Sequence, residues 1–447
     1  MKKAILTFYI WNQLGKLEIQ TKERSIAVRP IKTKNRSFVN RNFLIVTADM
    51  GKDKHFGYWR CPDGTDVKPF AVPNNGAGFW EFWERISLAQ KLHNLDGIIF
   101  GYESTGPYGE PLAHFMRARG AELVQINPLH TKRFKEVTDN SPNKTDQKDP
   151  KVIADIIEMG RFLTVVIPEG PAAELRRLSQ ARERSTRRHT ALANQIQCLL
   201  ASIFPEFLQV MKGVTSASAR YLLKHHPTHQ EIVAYGLPDL VKTLRKVSRG
   251  KLKADRAQAL YDGAKSSVGI TEGQASIVME IQELLSLMEA SERFTESLEQ
   301  EMITHLAQVP YSNILLSLKG IGEVTAAGLI GEVGDFRKFR TMSEIMKLAG
   351  LDLFEVSSGR HKGQRHISKR GRPLMRKLLY FAALNTVKQG GAMHQWYWSA
   401  CDRGMPKPKA LVAVGRKILG ILFALVRDHS EYVPNYSKVQ CQLKEAA

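Results

Sequence analysis

Short apolar runs separated by polar turns dominate residues 43–127. Runs of this length, bounded by turn-forming residues, are typical of β-strands. They predict strands at 43–48, 55–61, 67–72, 97–102 and 121–127. Helices are predicted at about 76–93 (opened by Asn75), at 107–119 (closed by Gly120) and from near 145–151. Three successive strands followed by alternating helices and strands indicate an α/β domain with a mixed sheet at 43–165.

Apolar residues at helical spacing take over between residues 171 and 310. One stripe consists of Leu175, Leu178, Ile196, Leu199 and Ile203. A second consists of Ile277, Ile281, Leu284, Met288, Leu298 and Met302, with Ser291 interrupting it. Such stripes are typical of core-facing helices or a coiled coil. We interpret 171–310 as a helical coiled-coil arm, either an internal hairpin or a dimerisation arm, with a helical insert at about 211–275.

A third, mostly helical domain is predicted at 311–435, with apolar helices near 373–388 and 408–427. The predicted fold class is therefore α/β plus all-α, flanked by a basic extension at 1–42 and a tail at 436–447. The start "MKKAILTFYIW" resembles a signal peptide but is followed by no small-residue cleavage site, so we predict a short strand or helix there. A membrane span needs about 18 consecutive apolar residues, and none is predicted.

The charge of the chain indicates its partner. Lys and Arg number 65 against 44 Asp and Glu, which gives a formal net charge of +21. This excess favours DNA or RNA as the partner. The four cysteines, Cys61, Cys198, Cys401 and Cys441, lie far apart and form no CxxC pair. They indicate neither a zinc site nor a disulfide framework, and a cytoplasmic location is expected.

Four acids occupy the predicted strand ends and the following helix. Asp49 follows "FLIVTA", Glu103 follows "GIIFGY", and Asp146 and Asp149 lie in "KTDQKDPKVIADII". If the first and fourth strands are neighbours, Asp49 and Glu103 lie side by side, and a helix that begins with the aspartate pair can add both. Four close carboxylates need a counter-charge. Their hard oxygens predict Mg²⁺ or Mn²⁺, and two such ions can clamp the attacking and leaving oxygens of a phosphodiester.

Each acid also has a structural explanation when it is considered alone. Asp49 precedes "MGK" and suits an ordinary turn. Asp149 precedes Pro150, which is the pattern of a helix N-cap with proline at the first helical position. The metal hypothesis depends on the four acids together.

A second candidate site lies in "FEVSSGRHKGQRHISKRGR", residues 354–372. Ser357 and Ser358 precede a glycine and a group of cations: Arg360, Lys362, Arg365, Lys369, Arg370 and Arg372. A serine hydroxyl attacks a phosphate only when its proton is removed and the developing charge is stabilised, and cations can provide the stabilisation. The alternative is a solvated basic loop. Upstream, Gly320 and Gly322 in "LKGIGEV" predict either a helix-hairpin-helix turn that approaches a phosphate or a plain tight turn.

Further segments in a fixed order carry a family resemblance. They are "TADMGKD", "ESTGPYGEPLAHFMRARGAELVQINP", "KTDQKD", "LKGIGEVTAAGLIGEVGDFRKF", "LAGLDLFEVSSG", "HISKRGRPLMRKLLYFAA" and "ALVAVGRKILGILFALV". With these motifs, nearly everything after residue 42 resembles the DEDD transposases of the IS110 and IS1111 insertion sequences, which are bridge-RNA-guided recombinases. The resemblance implies a RuvC-like, ribonuclease-H-type domain whose Asp49, Glu103, Asp146 and Asp149 bind Mg²⁺. It also implies a coiled-coil arm and a C-terminal transposase domain with a nucleophilic serine.

In that family the serine directly precedes a glycine, so the resemblance implies Ser358 as the nucleophile, while the residues alone leave Ser357 as an alternative. The chain departs from the family at Pro150, where alanine is usual, so the start of the helix that carries Asp149 is open. The resemblance implies a DNA transposase that forms a phosphoserine intermediate, with a structured guide RNA and a homodimer or homotetramer as its partners. The alternatives are a metal-dependent nuclease of the Holliday-junction type, in which Ser358 is structural, and a non-catalytic nucleic-acid-binding scaffold.

Overall fold

A computed structural model of the chain describes residues 42–103, 106–139, 149–356, 358, 363 and 365–434. These residues form two compact units, one within Met1–Val166 and one within Ile167–Ala447. The element predicted for "MKKAILTFYIW" and the tail 436–447 lie outside the described residues. No helix among the described residues is both long enough and apolar enough to cross a membrane.

The first unit contains a mixed sheet, as predicted, and the sheet has six strands. Its strands are β1 (Phe43–Asp49), β2 (Lys54–Arg60), β3 (Phe70–Pro73), β4 (Gly97–Glu103), β5 (Glu122–Ile126) and β6 (Leu163–Thr164). Their spatial order is β3-β2-β1-β4-β5-β6. The central strands β1, β4 and β5 are parallel, while β2, β3 and β6 are antiparallel to their neighbours. The sequence predicted that Asp49 and Glu103 lie side by side if the first and fourth strands are neighbours. Strands β1 and β4 are neighbours, so this condition is met.

Helices cover both faces of this sheet. On one face, α1 (Gly76–Leu92) and α2 (Glu110–Ala118) pack on Leu44, Val46 and Phe100. On the other, α4 (Asp149–Glu158) packs on Ile45, Ile99 and Val124, next to α3 (Pro128–Asp139). The predicted cap of α1 is confirmed, because the side chain of Asn75 accepts a hydrogen bond from the Gly78 amide at 2.9 Å. Helix α3 and strand β6 were not predicted, since "PLHTKRFKEVTD" has too few apolar residues to show a helical stripe.

Two long helices run through the second unit, α5 (Pro171–Ile203) and α11 (Gln274–Leu306). They are antiparallel, because Arg182 pairs with Glu299 while His189, further along α5, pairs with Glu292, earlier in α11. Ser291 does not break the apolar stripe. It is buried, and its hydroxyl lies 3.1 Å from the hydroxyl of Ser185 on the facing helix. The two serines satisfy each other where a lone buried hydroxyl would be costly.

Five shorter helices follow α5 and share a core with its C-terminal part. They are α6 (Pro205–Met211), α7 (Ala217–His225), α8 (His229–Tyr235), α9 (Leu237–Val247) and α10 (Ala254–Lys265). Their core joins Phe207, Leu222 and Leu260 to Ile196 of α5 and Ile281 of α11. A helical insert was predicted at about 211–275; four of these helices, α7 to α10, lie in that range, and α6 precedes it.

The N-terminal end of α5 and the C-terminal end of α11 belong to a second core. There Leu175, Met302 and Leu306 pack with the C-terminal helices. Those helices are α12 (Ser312–Leu316), α13 (Glu323–Val333), α14 (Met342–Ala349), α15 (Pro373–Thr386), α16 (His394–Asp402) and α17 (Lys407–Arg427). The two apolar helices expected near 373–388 and 408–427 are confirmed as α15 and α17. A short antiparallel hairpin, β7 (Leu353–Phe354) and β8 (His366–Ile367), precedes α15.

Candidate functional site

Asp49 and Glu103 end neighbouring parallel strands at the same edge of the sheet. The register pairs Ala48 with Tyr102, and each acid is the next residue of its strand. Ile45 and Ile99 lie on the face covered by α4. Since side chains alternate between faces, the acids four residues further along each strand lie on that same face.

Asp149 begins α4 on this face. The Thr47 hydroxyl of β1 donates a 2.7 Å hydrogen bond to the carbonyl of Pro150, which ties the first turn of α4 to the strand that carries Asp49. Pro150 does not disturb that turn, because the first amides of a helix have no intrahelical partner. Gly101 of β4 also permits the packing, since a Cβ there would lie 2.2 Å from the Ile157 side chain of α4.

The three described acids influence one another electrostatically. Burial, together with the negative charge of Asp49, raises the pKa of Glu103 above its ordinary value, and Asp149 acts in the same direction. Lys135 of α3 opposes this rise and forms an ion pair with Asp149. Asp149 is almost fully buried, with 6% of its surface exposed. The described acids therefore form a partly buried cluster with one neighbouring cation.

Lys135 was not singled out from the sequence. Its signal was weak, because "HTKRFKEV" reads as one more group of cations in a basic chain. Nearby acids of α4 differ from the cluster because arginine neutralises them: Arg60 contacts Asp155 at 2.7 Å and Glu158 at 3.1 Å.

The donor chemistry of the cluster fits a hard divalent cation. Carboxylate oxygens are the ligands that Mg²⁺ and Mn²⁺ prefer. Burial raises the pKa of Glu103, and the charges of Asp49 and Asp149 add to this rise, as expected where carboxylates lie close together. As arranged here, no three His, Cys, Asp or Glu side chains within the described residues are close enough to hold a metal ion. Asp146, the fourth predicted acid, lies outside the described residues.

Ser358 is exposed in the loop between β7 and β8. The base of this loop is held by the pairing of Phe354 with His366 and by an ion pair from Arg365 to Glu355 at 3.1 Å. Ser357, Arg360 and Lys362 lie outside the described residues.

The remaining predicted cations have two different environments. Lys369 and Arg370 are exposed, and the Lys369 amide is hydrogen-bonded to the Gly350 carbonyl at 2.9 Å. Arg372 instead caps the start of α15, and its guanidinium donates to the Glu332 carbonyl. Arg372 therefore stabilises the contact between α13 and α15, which a solvated loop would not do.

The "LKGIGEV" segment forms the turn between α12 and α13. Gly320 has φ 108°, and a Cβ there would lie 2.7 Å from the Thr386 side chain, so glycine is required by both conformation and space. Gly322 is the N-cap of α13, and a Cβ there would meet no atom within 4 Å. Packing explains Gly320, whereas the space beside Gly322 is open.

Two family models match the chain. A model of DEDD transposases of the IS110 type, described as "Transposase", matches residues 46–205, and a second, described as "Transposase IS116/IS110/IS902 family", matches residues 312–398. Together they take in more than half of the chain. The chain belongs to the IS110/IS116 family of insertion-sequence transposases. The first match includes Asp49, Glu103 and Asp149, and the second includes Gly320, Gly322 and Ser358 of this transposase.

Curated relatives align along most of the transposase. The IS110 43.6 kDa protein of Streptomyces coelicolor is 26% identical over 87% of this chain and 95% of its own length. The IS900 42 kDa protein of Mycobacterium paratuberculosis is 26% identical over 87% of this chain and 96% of its own length. The protein named as the transposase for IS1111A in Coxiella burnetii is 24% identical over 78% of this chain and 84% of its own length.

Proposed function

We propose that this transposase cuts and rejoins DNA through a phosphoserine intermediate on Ser358, assisted by Mg²⁺ or Mn²⁺ at Asp49, Glu103, Asp146 and Asp149. The observation that carries the proposal is the convergence of three described acids on one face at one edge of the sheet, within the segment that matches the DEDD family. The strand order, with parallel β1, β4 and β5 flanked by antiparallel β2 and β3, supports a RuvC-like assignment of this unit.

The acids hold negative charge at a defined place in the first unit. Asp49 and Glu103 are fixed by strand ends, and Asp149 is fixed by the Thr47 bond to its helix. When bound, the metal would supply Lewis-acid stabilisation of the scissile phosphate. When no metal is bound, Lys135 balances part of the negative charge of these acids.

Ser358 suits the role of nucleophile because its loop leaves it exposed. In the proposed step, the serine oxygen forms a bond to phosphorus as a sugar oxygen leaves; the serine loses its proton and the sugar hydroxyl gains one. The exchange conserves the number of phosphate ester bonds, so rejoining needs no ATP. No GxxxxGK[ST] nucleotide-binding loop occurs in the sequence, which agrees with this chemistry.

The remaining parts of the proposal concern partners. We infer a structured guide RNA and a dimer or tetramer, because strand exchange needs several strands cut in concert and symmetric oligomers supply repeated sites. The net charge of +21 supports a nucleic-acid assembly.

The test is covalent capture. DNA that carries the element junction is incubated with the protein, guide RNA and Mg²⁺, and the reaction is denatured and mapped by peptide mass spectrometry. We expect an adduct on Ser358 that is absent from Ser358→Ala and retained by Ser357→Ala. Asp49→Asn should lose the adduct while it still binds the nucleic acid.

Two outcomes would refute the proposal. Cleaved DNA with no attached protein, from both wild type and Ser358→Ala, would identify a nuclease that activates water. An adduct mapped to Ser357 or to a tyrosine would move the nucleophile elsewhere.

A further inference from the structure

One exposed surface of the insert is strongly basic. It consists of Lys242, Arg245, Lys246, Arg249, Lys251 and Lys253, named here the basic strip. All six residues are exposed, and no acid occurs between residues 240 and 254. None of the six forms an ion pair with any residue that the structure describes. The strip therefore presents uncompensated positive charge to solvent.

Helical geometry collects the first three cations on one face. Lys242, Arg245 and Lys246 follow the spacing i, i+3, i+4 within α9, which defines a single stripe about 6 Å long. Leu240 and Leu244 lie on the opposite side of α9, buried in the core of the insert. The core thus fixes which way the basic face points.

The chain after α9 keeps the remaining cations close to this face. Arg249 and Gly250 both take left-handed conformations, with φ 53° and 79°. Their amides bond to the carbonyls of Lys246 and Arg245 at 3.2 and 2.8 Å. The Leu252 amide bonds to the Ser248 hydroxyl at 2.9 Å. Lys251 and Lys253 therefore lie at a hydrogen-bonded turn and not on an unconstrained segment.

Stabilisation of helix α9 by its own cations explains only some of the six residues of the basic strip. Arg245 and Lys246 lie in the last turn of α9, where cations complement the helix dipole. Lys242 lies before that turn, and Lys251 and Lys253 lie beyond it. The strip also falls between residues 206 and 311, which neither family model matches, so the family likeness assigns it no role.

We propose that the basic strip is a docking surface for the phosphate backbone of duplex DNA. Unpaired bases are usually held by aromatic side chains, and the segment 240–254 contains none. Its chemistry suits phosphates alone, which gives binding without base readout. The choice of DNA rests on the proposed function, since the substrate of a transposase is DNA.

The test uses Ser358→Ala protein, so that binding is measured without cleavage. Lys242, Lys246, Lys251 and Lys253 are all changed to Gln in one variant and all to Arg in a matched control that keeps the charge. Affinity for a 30-base-pair DNA duplex is measured by fluorescence anisotropy over a range of salt concentrations. Because each phosphate contact contributes about one unit to the slope of log K against log salt, we expect the Gln variant to lose about two to four units. It should also bind about ten-fold or more weakly at physiological salt, and the Arg variant should bind like the parent.

The other outcomes separate this proposal from its alternatives. Unchanged affinity and slope in a Gln variant with an unchanged melting temperature would overturn it, as would a loss confined to RNA duplexes or single strands of equal length. If the Gln variant fails to fold, the same measurement on Lys242→Gln/Lys246→Gln decides the matter. If the basic strip binds DNA but the protein forms no covalent adduct with DNA, only the phosphoserine proposal is refuted.

Discussion

Lys135 determines how the acidic cluster is balanced when the chain is alone. Its ammonium pairs with the buried Asp149 and lowers the electrostatic cost of ionising Glu103. A divalent ion at the same carboxylates would compete with this internal cation. If the proposed metal site exists, Lys135 would weaken metal binding while it stabilises the metal-free fold.

Lys135→Met should tighten Mn²⁺ binding about ten-fold, equivalent to about 1.4 kcal/mol, because the competing cation is gone. It should also lower the melting temperature in EDTA, since removing one partner of a buried ion pair leaves a buried charge uncompensated. Isothermal titration and thermal melts measure the two effects. The matched control is Lys132→Met, an exposed lysine of the same helix. Weaker Mn²⁺ binding in Lys135→Met would instead make the lysine a supporter of the metal site.

At the scale of elements, a polar network joins the long helices to the insert. Arg220 of α7 makes two hydrogen bonds to Glu292 of α11, at 2.5 and 2.7 Å. His189 of α5 contacts the same carboxylate at 2.8 Å. Burial acts to raise the pKa of Glu292, but the bonds and charges of Arg220 and His189 outweigh it and hold the pKa below its ordinary value.

Glu292→Gln should destabilise the second unit by about 1 kcal/mol at neutral pH, a modest cost because the group is partly exposed. A lowered carboxyl pKa contributes stability above the ordinary pKa and loses it as the pH falls through the lowered value. The difference in melting temperature between wild type and variant should therefore shrink as the pH drops below about 4.3, the pKa of an unperturbed glutamate. Glu296→Gln, an exposed position on the same helix, is the control. A difference that stays constant down to pH 3 would contradict this role for the charge.

At the scale of the whole molecule, the acids and the serine belong to different units. Asp49 lies in the first and Ser358 in the second. The sequence left open whether residues 171–310 are an internal hairpin or a dimerisation arm. Helices α5 and α11 of one chain do pair with each other, and the dimer or tetramer stays a prediction.

Mixing Asp49→Asn protein with Ser358→Ala protein tests whether sites are shared between chains. If the acids of one protomer serve the serine of another, the mixture should recover part of the wild-type adduct formation, up to about a quarter to a half. A mixture as inactive as its parts, in which mass photometry shows that the two chains co-assemble, would indicate that each site is built from a single chain.

Much of the fold could be predicted from local pattern. The starts of α1 and α15, the apolar stripes of α5 and α11, and most strand bounds were visible because alternation and capping are properties of neighbouring residues. The positions of Asp49 and Glu103 at strand ends were visible for the same reason. Helix α3 was missed because its apolar residues are few.

What the sequence by itself determined was therefore the identity of most elements, the acids at their ends and the motifs on which the proposal for Ser358 rests. Only the tertiary structure decided which groups meet. The parallel register of β1 with β4, the ion pair of Lys135 with Asp149 and the contact of Ser185 with Ser291 join residues that are far apart in the chain. Periodicity reports that a side chain is buried, but the partner is chosen by packing between distant elements, and packing exists only once the chain has folded.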